Sequence, residues 1–362
     1  MLALPVAAVE RALSAPGKLF LSGEYAVLWG GVARVLAVGP RAQCLVRARE
    51  DRKVELLTAD GRLSGISTPL GVRWEGEAGD PFRFAARALD VVYRTQGRDA
   101  LGLSLALAPS AVGPGGRKLG LGSSARTAVL AVEAAAGLLE VRPPLPLALV
   151  AHAEAQGGKG SGADVAAASV GGMVRYRRWP VERVLAGGRP LGVLLAEAGP
   201  VDVVRTRLAP EFLSYAFGGE SASTGEMIAE AERSMDDRAR TAFVAESDLL
   251  GEALEEALLD RRFPAVREAC EGLQRLLGAL GRVATPALQR ILSLARAGGS
   301  AGKVSGAGGG DGCLLLSPDA EAQGQLLSSL RARGIHALSL SVEPGIRLEA
   351  HPDPQLQRWL AA

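Results

Sequence analysis

Histidine and cysteine are scarce: the 362 residues hold only His152, His336 and His351, and Cys44, Cys270 and Cys313. The cysteines are odd in number and far apart, and no Cys-x-x-Cys or His-x-x-x-His spacing occurs. That argues against a disulfide framework and a structural zinc site. Aromatic residues make up only 4%, too few for base-stacking platforms. Charge of one sign is also missing. Lys and Arg number 41 against 39 Asp and Glu, a net +2, so no basic field advertises a nucleic acid partner. No apolar run approaches the ~20 residues of a membrane span; even Thr127 to Leu139 is interrupted by Glu133. There is no Lys or Arg before Glu10–Arg11, where the first apolar stretch ends, unlike a secretory signal. The chain reads as cytoplasmic, without a nucleic-acid or membrane partner. Any anion it binds must be held by a local site.

What is present suits two packed domains. Hydrophobic residues are 48% and charged residues 22%, the proportions of a globular protein. Strands are expected at Leu19 to Leu28, Gln43 to Ala48, Leu101 to Leu107, Cys313 to Leu316 and Leu338 to Val342. Helical spacing runs from Arg83 to Thr95, Thr127 to Leu139 and Ala163 to Ser169. From Thr224 longer amphipathic helices take over, at Met227 to Met235, Ala239 to Leu259, Phe263 to Leu280 and Pro286 to Ala297. The Gly-Gly-Arg-Pro stretch near residues 186–189 predicts a domain boundary there, dividing 1–186 from 187–362.

Glycine is the informative residue, 46 in all, with dense clusters at residues 17–31, 113–122, 157–172 and 298–312. An ordinary turn needs one glycine for its positive φ; clusters of this density suggest backbone approaching a ligand. Gly120-Leu121-Gly122-Ser123-Ser124-Ala125 runs into an apolar helix. Its free amides and positive dipole end would suit a phosphate, and the serines either a helix cap or a phosphate-bound Mg²⁺. The run from Lys303 to Gly312 leads into the strand at Cys313 and carries more glycine than a connector requires. Walker and Rossmann patterns are both absent: Gly302-Lys303 precedes Val304, and Gly158-Lys159 precedes Gly160. Lys18 could reach phosphate oxygens or be a solvated strand-end charge. Asp164 opens a small-residue helix, where a first-turn acid is ordinary. His152 lies on an alanine-rich helix and reads as structural.

Together these segments resemble the GHMP (galacto-homoserine-mevalonate-phosphomevalonate) kinase superfamily over nearly the whole chain. Ala15-Pro16-Gly17-Lys18-Leu19-Phe20-Leu21-Ser22-Gly23-Glu24-Tyr25 is similar to its first motif, Gly120 to Ala125 to its second, and Lys303 to Cys313 to its third. Within the superfamily, several segments resemble the phosphomevalonate kinase branch. They are Gly23-Glu24-Tyr25, the run from Ala151 to Val165, Ser305 to Asp311, and Gly219-Glu220-Ser221-Ala222-Ser223-Thr224. Arg126 stands where the family usually has a small residue, and Asp311-Gly312-Cys313 replaces the usual Asp-Cys-Gly.

The resemblance implies an α+β fold of two domains, the first like a ribosomal-protein fold and the second ferredoxin-like, with ATP and acceptor between them. It implies transfer from ATP, with Mg²⁺, to 5-phosphomevalonate as the small-molecule substrate, in a monomer or homodimer. Lys18 and Asp164 would be the catalytic pair. Gly120, Leu121, Gly122, Ser123, Ser124 and Ala125 would hold ATP, with Ser123 or Ser124 on the metal. Tyr25, Ser161, Gly162, Ser223, Thr224, Ser305, Gly306, Ala307 and Gly308 would meet the acceptor. Lys118, Lys159 and Arg175 are candidates for its phosphate by position. The alternatives are mevalonate kinase and a non-catalytic sensor on the same fold; retention of both Lys18 and Asp164 speaks against the sensor.

Overall fold

The computed structural model describes residues 9–108, 116, 118–220 and 224–361. Its first body starts with two long strands, β1 (Glu10–Ser22) and β2 (Val32–Ala48), paired antiparallel. A register shift between Ala15 and Gly17 interrupts β1 and reverses its alternation, as a bulge does. Leu13 and Ala15 enter the first core, whereas Leu19 and Leu21 beyond the bulge face a second core. Lys18 and Phe20 consequently turn to the opposite face, where they line a cavity. The strand expected at Leu19 to Leu28 therefore starts earlier and stops at Ser22. Positive φ at Gly23 and Tyr25 breaks the extended chain, and Ala26–Trp29 is a 3₁₀ turn.

The chain continues with β3 (Lys53–Thr58), β4 (Gly61–Thr68) and β5 (Gly71–Trp74), then α1 (Arg83–Gln96) and β6 (Leu103–Leu107). Three helices follow, α2 (Ser123–Leu139), α3 (Pro144–Ala155) and α4 (Ala163–Val170). The expected helix from Thr127 thus starts four residues earlier, at Ser123, directly after the glycine loop. Alanine dominates α2 and lets it sink between α1, α3 and the sheet, with Ala128, Ala131 and Ala135 wholly buried. Next come β7 (Met173–Arg177), α5 (Val181–Leu185), α6 (Leu191–Ala198) and β8 (Val203–Thr206).

The second body holds β9 (Leu213–Phe217), α7 (Thr224–Ser234), α8 (Asp237–Leu259), α9 (Phe263–Gly278), α10 (Pro286–Ala297), β10 (Ala301–Val304), β11 (Gly312–Leu316), α11 (Ala320–Ala332) and β12 (Ala337–Leu340). Asp236 and Thr285 cap α8 and α10 by accepting from Ala239 N and Leu288 N. Its four strands run β10-β11-β9-β12, all antiparallel. Leu19, Leu36 and Leu121 meet Tyr215, Leu254 and Leu314 in the second core, which joins the two bodies. Each leucine buried there contributes about 1.5–3 kcal/mol.

The chain then returns. Val342 bridges to Val38 and Pro344 to Gly171, β13 (Arg347–Glu349) pairs with β1, and α12 (Pro354–Ala361) covers the outer face of the first sheet. Arg41 clasps this return, donating to Pro344 O at 2.7 Å, to Gly345 O and Ser14 O at 2.8 Å, and to Ser14 Oγ at 2.7 Å. The first sheet runs β13-β1-β2-β6-β3-β4-β5, with β7 on β2 and β8 on β7. The fold is α+β, as expected. Its sheets, however, do not divide at residue 186: Leu191, Leu194 and Leu195 lie in the first core, β8 and β13 belong to the first sheet, and α12 packs on it. The Gly-Gly-Arg-Pro stretch is only the turn between α5 and α6.

Candidate active site

The glycine loop before α2 is fixed to β1 by Lys18 N, which donates to Leu121 O at 3.0 Å. Gly122 has φ +80°, and a Cβ there would come within 2.8 Å of Lys18 Cγ. Both the left-handed backbone and the close approach require glycine. Gly122, not a serine, is the N-cap of α2, and no side chain caps the first turn. The serine-cap reading of this segment is thereby set aside, and the amides of the first turn have no side-chain cap at the positive end of the dipole.

The third glycine loop is fastened to the first motif from the other body. Phe20 N donates to Ser305 Oγ at 2.8 Å and Ser305 Oγ donates to Phe20 O at 3.2 Å. Tyr25 Oη donates to Ala307 O at 2.6 Å. Burial, reinforced by the charges of Glu24, Glu230 and Asp311, pushes the Tyr25 phenol well up, so it stays a neutral donor. Behind them Glu24 and Lys303 form an ion pair that is buried on both sides, and Lys303 also donates to Val304 O at 2.6 Å. A Cβ on Gly306 would lie 3.1 Å from Lys18 Nζ, so the lysine ends where the first, second and third motifs meet. Its ammonium is 5.4 Å from the centre of the Phe20 ring.

The acidic side comes from α3 and α4. Asp164, in the first turn of α4, accepts from Val165 N at 3.0 Å, and its Oδ2 lies 3.9 Å from His152 Nε2. That imidazole nitrogen is also 3.2 Å from Ser124 Oγ in the loop. Burial holds His152 below the usual histidine value, only partly opposed by Asp164, so the ring is neutral near pH 7. Among the described residues no ion pair joins Lys18 to Asp164, whose nearby basic group is His152. The two expected catalytic residues face the same space without touching.

That space is a cavity of about 300 Å³. Of the expected site residues it brings together Lys18, Tyr25, Gly120, Gly122, Ser123, Ser124, Ser161, Gly162, Asp164, Gly306 and Ala307. Leu121 and Ala125 are buried behind the loop in the two cores. The Ser305 hydroxyl is occupied by the Phe20 backbone, and Gly308 packs on Val283. Ser223 lies outside the described residues, and Thr224 opens α7. Of the three candidate basic residues only Lys118 lines the cavity. Arg175 is bound to Glu255 at 2.8 Å, and Lys159 lines a small neighbouring cleft with Ser161 and Gly162. Sequence reasoning missed Glu24, Arg83, Phe84, His152 and Asp311 as lining residues. Glu24, His152 and Asp311 stood inside segments already singled out; Arg83 and Phe84 reach the cavity through the packing of α1.

A second cavity of about 520 Å³ adjoins the first, and the two share Phe84, Lys118, Gly120, Ser123 and Ser124. Among the described residues no helix is long and apolar enough to cross a membrane, and no group of three His, Cys, Asp or Glu could hold a metal by itself.

Residues 248–336 match the family described as GHMP kinases C terminal. A phosphomevalonate kinase of Streptomyces sp. is 32% identical over 348 residues, covering 85% of this chain and 90% of that one. A mevalonate kinase of Thermococcus gammatolerans is 25% identical, covering 93% and 97%. The fold is similar to that of Streptococcus pneumoniae phosphomevalonate kinase in complex with phosphomevalonate and AMPPNP, with a TM-score of 0.75 at 21% identity over 92% of this chain and 99% of that one. The meeting of three glycine-rich segments around one lysine, on this fold and at this identity, makes the chain a member of the GHMP kinase family.

Proposed function

We propose that this kinase transfers a phosphoryl group from ATP to 5-phosphomevalonate. The observation that carries the reading is the convergence of the uncapped α2 amides, Lys18, Asp164 and the third glycine loop on one cavity. Phosphoryl transfer is mostly positioning and charge neutralisation. The first-turn amides of α2 bind the phosphates of ATP, and Lys18 neutralises charge on the group in transfer. Asp164, with Ser161 and Gly162 before it, orients the acceptor. Tyr25 holds the third loop against the first motif, which keeps Gly306 beside Lys18 and water out. Mg²⁺, when bound, supplies further neutralisation. The residues fit it: Mg²⁺ favours one or two protein oxygens plus phosphates and water over a closed protein cage, and Ser123 with the cavity carboxylates offers that. Lys118 on the rim gives a second phosphate a cationic partner.

Support for the acceptor comes from the Streptomyces relative at 32% identity and from Gly23-Glu24-Tyr25. Mevalonate kinase is the second reading, favoured by relatives of that name that match 93% of this chain. The test is ADP release from purified protein with ATP, Mg²⁺ and each acceptor in turn. Turnover on phosphomevalonate is expected; turnover on mevalonate alone would overturn the assignment while leaving the kinase intact.

A further inference from the structure

Arg126 sits where electrostatics disfavours a cation. It belongs to the first two turns of α2, near the positive end of that helix. Its side chain is 2% exposed. Among the described residues no carboxylate lies within ion-pair distance of it. Nη1 donates to Pro40 O at 2.6 Å, while Nε, equally buried, has no hydrogen-bond partner. Burial alone pushes the guanidinium down to about 10, so it stays charged at neutral pH. A buried charge without a counter-charge is strongly destabilising, and such costs persist where function requires them.

The location says what would supply the counter-charge. Arg126 forms part of the wall of the second cavity, together with Thr58, Asp60, Leu107 and Thr127. That cavity meets the first at the glycine loop, and neither Lys18 nor Asp164 lines it. If the transferring phosphoryl group lies by Lys18, the rest of a nucleotide must leave the loop on this side. Of the two acids on the same wall, Asp80 is engaged by Arg83 at 3.6 Å, and neither it nor Asp60 forms an ion pair with Arg126. Phosphates along the loop would supply the anion that the wall does not.

We propose that Arg126 is an affinity-determining residue of this chain for nucleoside triphosphates, its guanidinium acting on the phosphate chain where it passes from the glycine loop into the second cavity. This rests on the kinase reading above. It makes Arg126 a second, buried source of positive charge behind the loop amides, beyond what the loop itself provides.

The test compares wild type with Arg126→Met and Arg126→Lys by isothermal titration with ATP and with adenosine, and by thermal melting of the ligand-free proteins. The methionine variant should bind ATP roughly ten- to a hundredfold more weakly, the scale of one lost charged hydrogen bond. Its adenosine binding should match wild type, and its ligand-free Tm should hold or rise. The lysine variant should recover part of the ATP affinity. Unchanged ATP affinity in Arg126→Met, or an equal loss for ATP and adenosine, would overturn the proposal. So would a lowered ligand-free Tm with ATP affinity intact, which would make Arg126 a clamp on Pro40. Absence of ATP binding by wild type would instead remove the kinase reading, and this inference with it.

Discussion

Lys18 owes its position to a single irregularity, the bulge that turns it away from the second core and toward the cavity. Lys18→Met keeps the stem and removes the charge, so turnover should fall by ~10² or more, the scale of one lost electrostatic donor. A loss under tenfold with ATP affinity intact would place the lysine outside the site. Gly122→Val adds a side chain at φ +80° and drives it into Lys18. ATP affinity and turnover should fall together, with far-ultraviolet circular dichroism little changed; unaltered ATP binding would count against the loop. His152 makes its own prediction. The unfolded chain protonates it near pH ~6.5, while burial delays protonation in the folded chain. Unfolding therefore takes up a proton, and stability should decline as pH falls below about 6.5. His152→Gln should flatten that part of a Tm-against-pH curve, and an identical slope would assign it elsewhere.

At the scale of elements, the three glycine loops are held by partners from other segments: Leu121 for Lys18, Phe20 for Ser305, Ala307 for Tyr25. Beneath them the Glu24–Lys303 pair ties the end of β1 to β10. Removing one partner of a buried pair leaves an uncompensated charge, worth about 3–5 kcal/mol. Lys303→Met should cost that much in urea unfolding, and Glu24→Gln with Lys303→Met together should cost less than the single change. The motifs were legible because each needs unusual residues in a row. Helix α10 was legible to its ends because Thr285 and Pro286 mark its start. The register break in β1 was not, since Gly17 reads as an ordinary small residue until its neighbour Leu121 O, 2.8 Å from where a Cβ would be, is seen. The contact of Ser305 with Phe20 was hidden for the same reason: the two are 285 residues apart. His152 looked structural because nothing in its own helix announces Ser124 or Asp164.

For the molecule as a whole, the acceptor decides the pH dependence. A phosphate monoester loses its second proton near pH ~6, whereas a hydroxyl needs a general base, typically worth ~10² to 10⁴ in rate. With phosphomevalonate, activity should rise through pH ~6, and Asp164→Asn should keep that limb while lowering its height. A limb that vanishes in the variant would belong to Asp164 and favour a hydroxyl acceptor. At this scale the first sheet is not contiguous in the sequence, because β13 returns to it, and α12 packs on it, after the whole second body.

That return has a consequence for synthesis. The edge of β1 at Ala12–Ser14 pairs with residues 347–349, so on a growing chain it stays open until more than three hundred further residues have been made. Nascent protein must carry an unpaired strand edge throughout, the kind of edge that joins other chains. Arg41 and Ser14 wait for the same late partners. The strand that carries Lys18 is completed only by a segment made long after it.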